Sequence, residues 1–521
     1  MPNRLEKENF TYLQKHKDNP VDWWPWCDEA LIKAEKENKA IFIFIGYSSC
    51  HLCNVMENNV FQNQECADIL NNNFICIKVD REERPDIDKH FQEVHMLLNN
   101  RAGGWPTSIF CTPQNKPFFA RTYIALESQT EGIEGMGFKE LTKLIATKVQ
   151  ENDMQLFKNA EEVEDFLEKK KHPTQATVLN KDFVKNFMHQ VKSNFQTKDG
   201  GFSVAPKFPH ASTLNTLMLV DKLNDDKSAK AMLTQTLDAM KQGGFYDVVD
   251  GGFFRYATDS KWEVPHFEKT LYDNALLCET YANAYLTYND TSYLEIAKEI
   301  ADFWHTCMTQ DKLMYSASGG EGLRKQKTYP SCDKKIQTSW SSMMIKSLFT
   351  LGQIDTKYTL RAQESLDALM KILYVDSQLY HTTLIHKSPK VGAFLEDYAY
   401  LGWALIHAYK CTKDEMYLIH AQRFANTALE EFYTSGAWNF SNGTFETTAD
   451  IYDNTSISPV SIMVDLLLSL GTLLKDEKYT HFAFKTMEYN SYSLGRTPVH
   501  SPHMLGQMLR YLKGNTEIKS F

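Results

Sequence analysis

The sequence contains no apolar run close to the roughly 20 residues that a membrane-spanning helix requires. Its first residues, MPNRLEKENFTYLQKHKDNP, are polar and lack the apolar core of a signal peptide. Basic residues are in the minority, with 56 Lys and Arg against 66 Asp and Glu, so the net charge is −10. Nucleic acids and anionic membranes attract basic surfaces, and this balance argues against both as partners. We therefore expect a cytoplasmic protein.

The sequence has only ten cysteines in 521 residues. Cytoplasmic cysteines are mostly kept reduced, so a closely spaced pair indicates catalysis or metal binding rather than a structural disulfide. One such pair exists, Cys50 and Cys53, with two residues between them. The length of the chain predicts two or three domains.

The first 125 residues alternate short apolar runs with helical patterns. A helical pattern begins at Cys50, and a polar helix is predicted at about 86–98. Strands and helices in this order predict a βαβ unit followed by a hairpin, in an α/β domain. Four apolar runs are typical of strands: 40–45 (AIFIFI), 74–79 (FICIKV), 108–111 and 117–123.

The position of Cys50 determines its expected chemistry. It follows a strand and lies in the first turn of a helix, where unpaired backbone N–H groups and the helix dipole favour an anion. Its thiol is therefore expected to have a lowered pKa and to act as the nucleophile. Cys53 lies one turn later, is expected to be less exposed, and is placed to resolve a mixed disulfide. A donating group at His51 would stabilise the thiolate.

Two other interpretations of the pair remain open. A CxxC motif can be half of a zinc site, but four ligands need a second pair, and no second CxxC or HxxxH lies nearby. Alternatively, both cysteines are inert, because cysteine is commonly buried. We expect no metal and no cofactor. The other cysteines of this region are expected to be core thiols: Cys27, Cys66, Cys76 and Cys111.

Residues 3–124 resemble the thioredoxin-like domain of the spermatogenesis-associated protein 20 family. Six stretches carry the resemblance: NRL (3–5), NPVDWWPW (19–26), IGYSSCHLCNVM (45–56), FICIKVDREERPDID (74–88), GGWP (103–106) and TPQNKPFFARTY (112–123). In thioredoxin-like folds a proline that can be cis faces the CxxC pair and shapes the substrate groove. The resemblance therefore implies that Pro106 faces Cys50 and Cys53, and that a protein thiol or disulfide is the partner.

Helical patterns dominate the rest of the chain. Residues 135–171 are charged and predict a connecting helical segment. Beyond residue 179 the strands disappear, and about twelve amphipathic helical stretches follow. The motif DGGF occurs at 199–202 and again at 250–253, about one helical hairpin later, which indicates an internal repeat. Twelve helices in six hairpins are what a closed α/α toroid requires.

The later motifs resemble the second part of the same family, which is similar to six-hairpin glycosidases and to the N-acylglucosamine and cellobiose 2-epimerases. The motifs are APKFPH (205–210), GGFYD (243–247), DGGFFRYATDSKWEVPHFEKTLYDNA (250–275), TSW (338–340) and FLEDYAYL (394–401). The resemblance implies a multidomain protein. Its predicted parts are a thioredoxin-like domain (1–126), a helical linker (127–178) and an (α/α)6 barrel (179–521) with a carbohydrate-like ligand. One fold hosts many activities, so the reaction stays open.

Sugar chemistry requires paired acids and bases and aromatic rings that stack on the sugar. Trp262, with Phe253 and Tyr398, is expected to stack. Glu268 and Asp273 are also compatible with ordinary surface or helix-start acids, and His266 with a helix cap. The epimerases place a catalytic histidine before the final helix, as at His500 and His503. The candidate residues of the barrel are Arg255, Tyr256, Trp262, Glu263, His266, Glu268, Asp273, Glu396, Asp397, His500 and His503.

Three functions remain open on this basis. The first is a thiol–disulfide oxidoreductase or redox sensor whose barrel binds a carbohydrate-like ligand or a partner. The second is a sugar epimerase, isomerase or hydrolase that uses the barrel, with the thioredoxin-like domain as a regulatory part. The third is a non-catalytic binding scaffold. The scaffold is favoured by departures from the family pattern, such as Ser341-Ser342 where relatives have Asn-Gly.

Overall fold

The computed structural model describes residues 2–130, 132–170, 176–319, 332–443 and 445–514. The chain forms two compact units, Met1–His172 and Pro173–Phe521. Among the described helices, none combines the length and the apolar character needed to cross a membrane.

A five-stranded sheet forms the centre of the first unit. Its strands are β1 (Trp23–Trp24), β2 (Ala40–Gly46), β3 (Phe74–Asp80), β4 (Thr107–Cys111) and β5 (Pro117–Arg121). Their order is β1-β3-β2-β4-β5. β3 is parallel to β1 and β2, whereas β4 is antiparallel to β2 and β5. β2 and β3 are buried along their whole length, as their continuous apolar runs predict.

The helices of the first unit follow the strands in the predicted alternation. They are α1 (Thr11–Gln14), α2 (Asp28–Glu37), α3 (His51–Met56), α4 (Gln64–Asn73), α5 (Pro85–Asn99), α6 (Phe138–Gln150) and α7 (Met154–Lys170). A π-helical turn, Glu57–Phe61, continues α3. The predicted α/β class of this domain is confirmed, and among its strands only the two-residue β1 has no counterpart in the prediction.

The segment predicted as a linker packs within the first unit. α6 contacts α4 and buries Phe138, Leu141 and Val149 in the same apolar cluster as Phe42 of β2. The charged residues that suggested a solvated connection occupy the other face of α6, whereas its apolar face is part of the core.

Helices form the framework of the second unit. They are α8 (Asp182–Asn194), α9 (Ala211–Asn224), α10 (Lys227–Gln242), α11 (Leu271–Tyr288), α12 (Thr291–Cys307), α13 (Thr338–Gly352), α14 (Thr356–Leu373), α15 (Leu395–Thr412), α16 (Glu415–Phe432), α17 (Pro459–Leu474), α18 (Glu477–Tyr489), α19 (Ser491–Arg496) and α20 (Pro502–Leu512). Apart from the short α19, these helices match the twelve predicted stretches to within a few residues.

Six of these helices form a closed inner ring. In order around the ring, α9, α11, α13, α15, α17 and α20 each pack on the next, and α20 packs again on α9. The outer layer packs α10, α12, α14, α16 and α18 on the inner helices that precede them, and α8 on α20. Every residue of α13 is buried, as expected for a helix surrounded by protein. The predicted (α/α)6 barrel is confirmed.

The prediction that strands disappear beyond residue 179 is wrong. Short strands lie in the long connections that lead from an outer helix to the next inner helix. Most are two residues long and have no readable period, which is why the sequence did not reveal them. They are β6 (Tyr256–Ala257), β7 (Pro265–His266), β8 (Lys269–Thr270), β9 (Thr309–Gln310), β10 (Leu313–Met314), β11 (Ala317–Ser318), β12 (Cys332–Asp333), β13 (Ile336–Gln337), β14 (Tyr374–Val375), β15 (Gln378–Thr383), β16 (Val391–Gly392), β17 (Tyr433–Thr434), β18 (Ala437–Asn439) and β19 (Thr448–Ala449).

The returns from an inner helix to its outer partner are short. Asn289 and Asp290 connect α11 to α12, and Lys475 and Asp476 connect α17 to α18. The long, strand-containing connections therefore gather at the end of the barrel where the inner helices begin.

The repeated DGGF motif forms the same turn twice. In the first copy Gly200 donates its N–H to the carbonyl of Gln196 (2.8 Å), the carbonyl of Gly201 accepts from the N–H of Gln196 (2.9 Å), and Lys207 donates to the carbonyl of Gly200. Both glycines have positive φ, 67° and 81°. The second copy repeats these contacts with Gly251, Gly252, Asp247 and Lys269.

Replacing Gly251 by alanine should destabilise the second unit by about 1–3 kcal/mol. Gly251 has a φ of 82°, and an added Cβ would lie 2.9 Å from the carbonyl oxygen of Glu299. Urea denaturation of the full chain measures the loss. Gly392→Ala is the matched control, because an added Cβ there meets nothing within 4 Å. An equal loss in both variants would contradict the strained turn.

Candidate functional site

Cys50 and Cys53 form a disulfide at the junction of β2 and α3, with their Cα atoms 5.3 Å apart. Cys50 is the N-cap of α3, and its Sγ accepts a hydrogen bond from the backbone N–H of Cys53 at 3.2 Å. The first sulfur of the motif thus lies at the positive end of a helix, where negative charge is stabilised.

The expected difference in exposure between the two cysteines is wrong. Both are 3% exposed, whereas His51 and Leu52 between them are exposed. The reason is local geometry: Sγ of Cys50 turns back over the start of its own helix, and Sγ of Cys53 packs on Gly46, where an added Cβ would lie 2.7 Å from it.

Pro106 lies close to the disulfide in the sheet register. Thr107 pairs with Ile45, so Pro106 is level with the end of β2, a few residues before Cys50. The bond between Trp105 and Pro106 is cis. The indole of Trp105 packs edge-to-face on Tyr47 with ring centroids 5.9 Å apart. The ring contact between Tyr47 and Trp105 and the position of Pro106 therefore place two aromatic rings and a proline beside the strand end that leads into the disulfide.

A buried ionic cluster lies behind this region. Nζ of Lys78 is 3.6 Å from Oε2 of Glu57, and the same oxygen is 2.7 Å from Nδ1 of His16. Tyr12 connects the cluster to the disulfide, because its ring packs on His16 and its hydroxyl, like Sγ of Cys53, packs on Gly46. The aromatic rings within 5.5 Å of Nζ of Lys78 are those of Tyr12, Trp23, Phe44 and Phe61.

Burial and mutual charge set the protonation of this cluster. Burial lowers the pKa of Lys78 to about 8 and that of His16 to about 4. Burial alone would raise the pKa of Glu57, but the charge of Lys78 and the contact with His16 outweigh it and lower this pKa to about 2. The cluster was not predicted from the sequence, although a lysine inside the apolar run FICIKV was its signal.

The other eight cysteines are free thiols, whereas Cys50 and Cys53 are joined in the disulfide. Burial raises the pKa of each of their thiols, to about 11 for Cys66. A thiol with a raised pKa is a poor nucleophile at neutral pH. Cys66, Cys76 and Cys111 are buried, in agreement with their expected core role, whereas Cys27 is half-buried at the N-cap of α2.

In the barrel, His381 and Asp397 form a buried pair at the start of α15. Nδ1 of His381 lies 2.9 Å and 3.1 Å from the two carboxylate oxygens of Asp397. These oxygens also accept the backbone N–H groups of Ser339 (3.2 Å) and Phe394 (2.9 Å). A carboxylate only accepts hydrogen bonds, so Nδ1 of His381 carries the proton in its contact with Asp397. The basic nitrogen of the neutral ring is therefore Nε2.

Glu396 lies beside this pair, with Oε1 3.8 Å from Nδ1 of His381. The three side chains have ligand-type atoms within 4.8 Å of one another, a spacing that a metal ion could use. Because Asp397 already accepts two backbone N–H groups, the arrangement is that of a hydrogen-bonded acid–histidine pair. Both acids were predicted from the sequence, and His381 was not.

Asp453, which was not predicted from the sequence either, holds the backbone around His500 and His503. The carboxylate of Asp453 accepts the backbone N–H groups of His503 and Ser458, each at 2.9 Å, and its own backbone N–H donates to the backbone carbonyl of His500 at 2.7 Å. Burial raises the pKa of Asp453 to about 6, against the opposing charge of His503. Nε2 of His503 lies 3.6 Å from Asp465 of α17.

A third group brings together four of the predicted residues. Arg255 forms an ion pair with the fully buried Glu268 at 3.1 Å, and Nε2 of His266 lies 3.5 Å from the same oxygen. The ring of Tyr256 stacks on His266 with centroids 4.7 Å apart. Tyr256 and His266 lie on the hairpin of β6 and β7 in the long connection before α11.

The remaining predicted residues of the barrel lie outside these three groups. The expectation that Trp262 stacks on a sugar is wrong, because its side chain is fully buried and donates to the carbonyl of Asp199 at 3.1 Å. Phe253 and Tyr398 are buried too. Glu263 is exposed, and Asp273 accepts from the hydroxyl of Thr270, the N-cap of α11.

Comparisons with known proteins agree with the two-part organisation. Residues 2–168 match the family model Thioredox_DsbH, described as a protein of unknown function, DUF255. Human spermatogenesis-associated protein 20 is 40% identical over 316 residues, which are 58% of this chain and 39% of that protein. Over these residues the chain is similar to spermatogenesis-associated protein 20. It spans about 39% of the length of this relative.

Two further kinds of similarity cover a larger share of the chain. An uncharacterized protein of Caenorhabditis elegans is 28% identical and aligns with 99% of this chain and 86% of its own. A sugar epimerase from a ruminal bacterium has a TM-score of 0.54 at 13% identity, covering 64% of this chain and 98% of that one. Cellobiose 2-epimerase from Bacillus thermoamylovorans has a TM-score of 0.52 at 12% identity, covering 64% and 100%. Such low identities show a shared fold alone.

Acidification from pH 7.5 to 5 should destabilise the first unit partly through His16. The pKa of His16 is about 4 in the folded chain and about 6.5 when unfolded, so stability is present above pH 6.5 and is lost as the pH falls toward 4. The expected loss at pH 5 is about 2 kcal/mol. Proteolysis in urea, followed through peptides of β2 and β3, measures it.

His16→Gln should remove this part of the pH dependence, whereas His51→Gln should retain it. The contribution of Glu57 to stability is lost only as the pH falls from the ordinary pKa of a glutamate, 4.5, toward about 2. The interval from pH 7.5 to 5 therefore reports on His16 and not on Glu57. An unchanged slope in His16→Gln would show that His16 is not held neutral by burial.

Proposed function

We propose that the first unit is a thiol–disulfide oxidoreductase with Cys50 as nucleophile and Cys53 as resolving cysteine. The observation that supports it best is the place of Cys50 Sγ, which caps α3 and accepts the N–H of Cys53 at 3.2 Å. The same contact would stabilise a thiolate after reduction. The position of Pro106, level with the end of β2, is the second feature in favour.

The reaction balances in two exchange steps. The thiolate of Cys50 attacks one sulfur of a disulfide in the partner, forms a mixed disulfide and releases one partner thiolate, which takes up a proton. The thiolate of Cys53 then attacks Sγ of Cys50, which forms the disulfide between Cys50 and Cys53 and releases the second partner thiol. Two electrons pass from the cysteine pair to the partner, and the reverse sequence oxidises a partner dithiol.

A Cys53→Ser variant should retain a mixed disulfide on Cys50, because the resolving thiol is missing. Reduced full-length variant mixed with oxidised glutathione should carry one stable glutathione on the peptide that contains Cys50, as read by peptide mass spectrometry. Cys50→Ser should accumulate at least about tenfold less adduct on Cys53. Labelling of the exposed Cys411 to the same extent as Cys50 would contradict an activated nucleophile.

We further propose that the barrel acts on a carbohydrate-like ligand as an isomerase or epimerase. The observation in favour is the pair of His381 and Asp397, because it makes Nε2 of His381 a base at the end of the barrel where the inner helices begin. In such a reaction one group removes a proton from a carbon of the sugar and a second group returns a proton to it. His503, whose Nε2 lies 3.6 Å from Asp465, is the proposed second group.

Incubation with D-mannose, D-glucose or cellobiose in D₂O tests the barrel. A base that removes the proton at C2 should introduce deuterium there, which NMR detects. His381→Gln and Asp397→Asn should each lower the exchange rate by about 10²-fold or more. His420→Gln, on the outer helix α16, is the control and should exchange normally. Full exchange in His381→Gln would remove this residue from the mechanism.

A further inference from the structure

A polar network runs around the inside of the inner ring. Lys346 of α13 forms an ion pair with Glu279 of α11, and its Nζ lies 4.2 Å from the ring centroid of Trp403 of α15. Nε1 of Trp403 donates to Asp465 of α17 at 3.0 Å, and Asp465 accepts from Arg510 of α20 at 2.8 Å. We call these five residues the lumen network.

The sixth inner helix, α9, completes the ring of polar contacts. Asn215 donates to the hydroxyl of Thr280 of α11 at 3.1 Å. Thr216 donates to the carbonyl of Pro502 of α20 at 2.9 Å. Polar contacts therefore join all six neighbouring pairs of inner helices, in a region where most helix positions are apolar.

One amide inside this ring has no partner among the described residues. Asn283 of α11 is 2% exposed, and neither its Oδ1 nor its Nδ2 makes a hydrogen bond. Oδ1 of Asn215, Oε1 of Gln507 and Nε of Arg510 are likewise buried without a hydrogen bond within the described part of the chain. A buried unpaired polar group costs about 1–3 kcal/mol, so a group outside the protein chain is expected to satisfy them.

The direction of Asn283 follows from its neighbours on α11. Glu279 faces α13, where it pairs with Lys346, and Thr280 faces α9, where it pairs with Asn215. At about 100° per residue, Asn283 lies about 40° around the helix from Glu279 and about 60° from Thr280. It therefore lies between the directions of the two neighbouring helices, on the side that faces the barrel axis.

The unpaired atoms define the chemistry of the missing partner. The oxygens of Asn283, Asn215 and Gln507 need donors, whereas Nδ2 of Asn283 and Nε of Arg510 need acceptors. Hydroxyl groups and water supply both in one group. An anion would offer acceptors alone, and a metal ion would repel the two N–H groups.

We propose that the lumen between α9, α11 and α20 binds the hydroxyl groups of a small sugar or polyol, with Asn283 as its central contact. This inference rests on the proposed carbohydrate role of the barrel and adds a binding subsite to it. The ligand hydroxyls supply the donors and acceptors that these buried groups lack within the described chain.

The test compares two asparagines of α11 that differ in their partners. Asn274 is fully buried, and its amide exchanges hydrogen bonds with both backbone groups of Phe253 (2.8 and 2.9 Å) and donates to the carbonyl of Thr270 (3.1 Å). Asn274→Leu should lower the Tm of the full chain by several degrees, because it leaves these groups unpaired. Asn283→Leu should leave the Tm unchanged or raise it.

Ligand binding is the second measurement. D-Mannose, D-glucose and myo-inositol are added to the full chain, and saturation-transfer NMR reports which of them bind. Binding to the natural sequence should weaken at least about tenfold in Asn283→Leu, through loss of two hydrogen bonds. Asn159→Leu, at an exposed position of α7, is the control and should bind normally.

Each outcome has a distinct meaning. Equal binding by the natural sequence and by Asn283→Leu overturns the subsite and leaves the carbohydrate role of the barrel intact. Absence of binding by every probe overturns the subsite, and the exchange experiment in D₂O then decides the carbohydrate role of the barrel separately. A Tm loss in Asn283→Leu as large as in Asn274→Leu shows that Asn283 has a partner within the chain, which overturns the subsite whatever the binding result.

Discussion

Unpaired N–H groups at helix starts fix the positions of three side chains on which the proposed chemistry depends. The first turn of a helix needs acceptors, and here Cys50, Asp397 and Asp453 supply them. Sγ of Cys50 meets this need for α3, and the carboxylate of Asp397 meets it for α15. Asp453 does so for the loop before α17 and for the first turn of α20. Because all inner helices begin at the same end of the barrel, their capping groups gather there.

Capping by itself does not distinguish a functional acid from a structural one. Asp273 and Asp397 both lie in the first turn of an inner helix and both are buried. Asp273 accepts from Thr270, the cap of its own helix, whereas Asp397 reaches His381 on a different element, β15. The contact of Asp397 fixes the proton of a histidine. Burial and position in the first turn alone therefore do not identify the acid that supports the proposed chemistry.

The sequence predicted features that repeat along the chain and missed those that depend on contacts between distant segments. The helices of the barrel carry the 3.6-residue period over many turns, so their positions were readable. His381 has no local pattern, because its significance comes from Asp397, sixteen residues later on another element. Trp262 was misjudged for the same reason: its surroundings are Asp199 and the turn at Gly201, which are distant in sequence. Lys78 carried a local signal, a charge within an apolar strand, but the sequence did not show that Glu57 and His16 meet it.

Similarity to sugar enzymes establishes the fold of the barrel but not its chemistry. The chemistry depends on individual residues, because one fold can carry many different sites. A barrel needed only as a scaffold would be most stable with an apolar lumen, because every buried polar pair costs desolvation. This barrel instead carries the lumen network and several amides across all six inner helices. Most of these groups form hydrogen bonds or ion pairs with one another, which is consistent with a structural role. Asn283 does not fit that account, because its amide makes no hydrogen bond within the described chain while Asn274, on the same helix, makes three. The absence of an internal partner within the described chain is therefore what distinguishes Asn283 from Asn274 and motivates the proposed subsite.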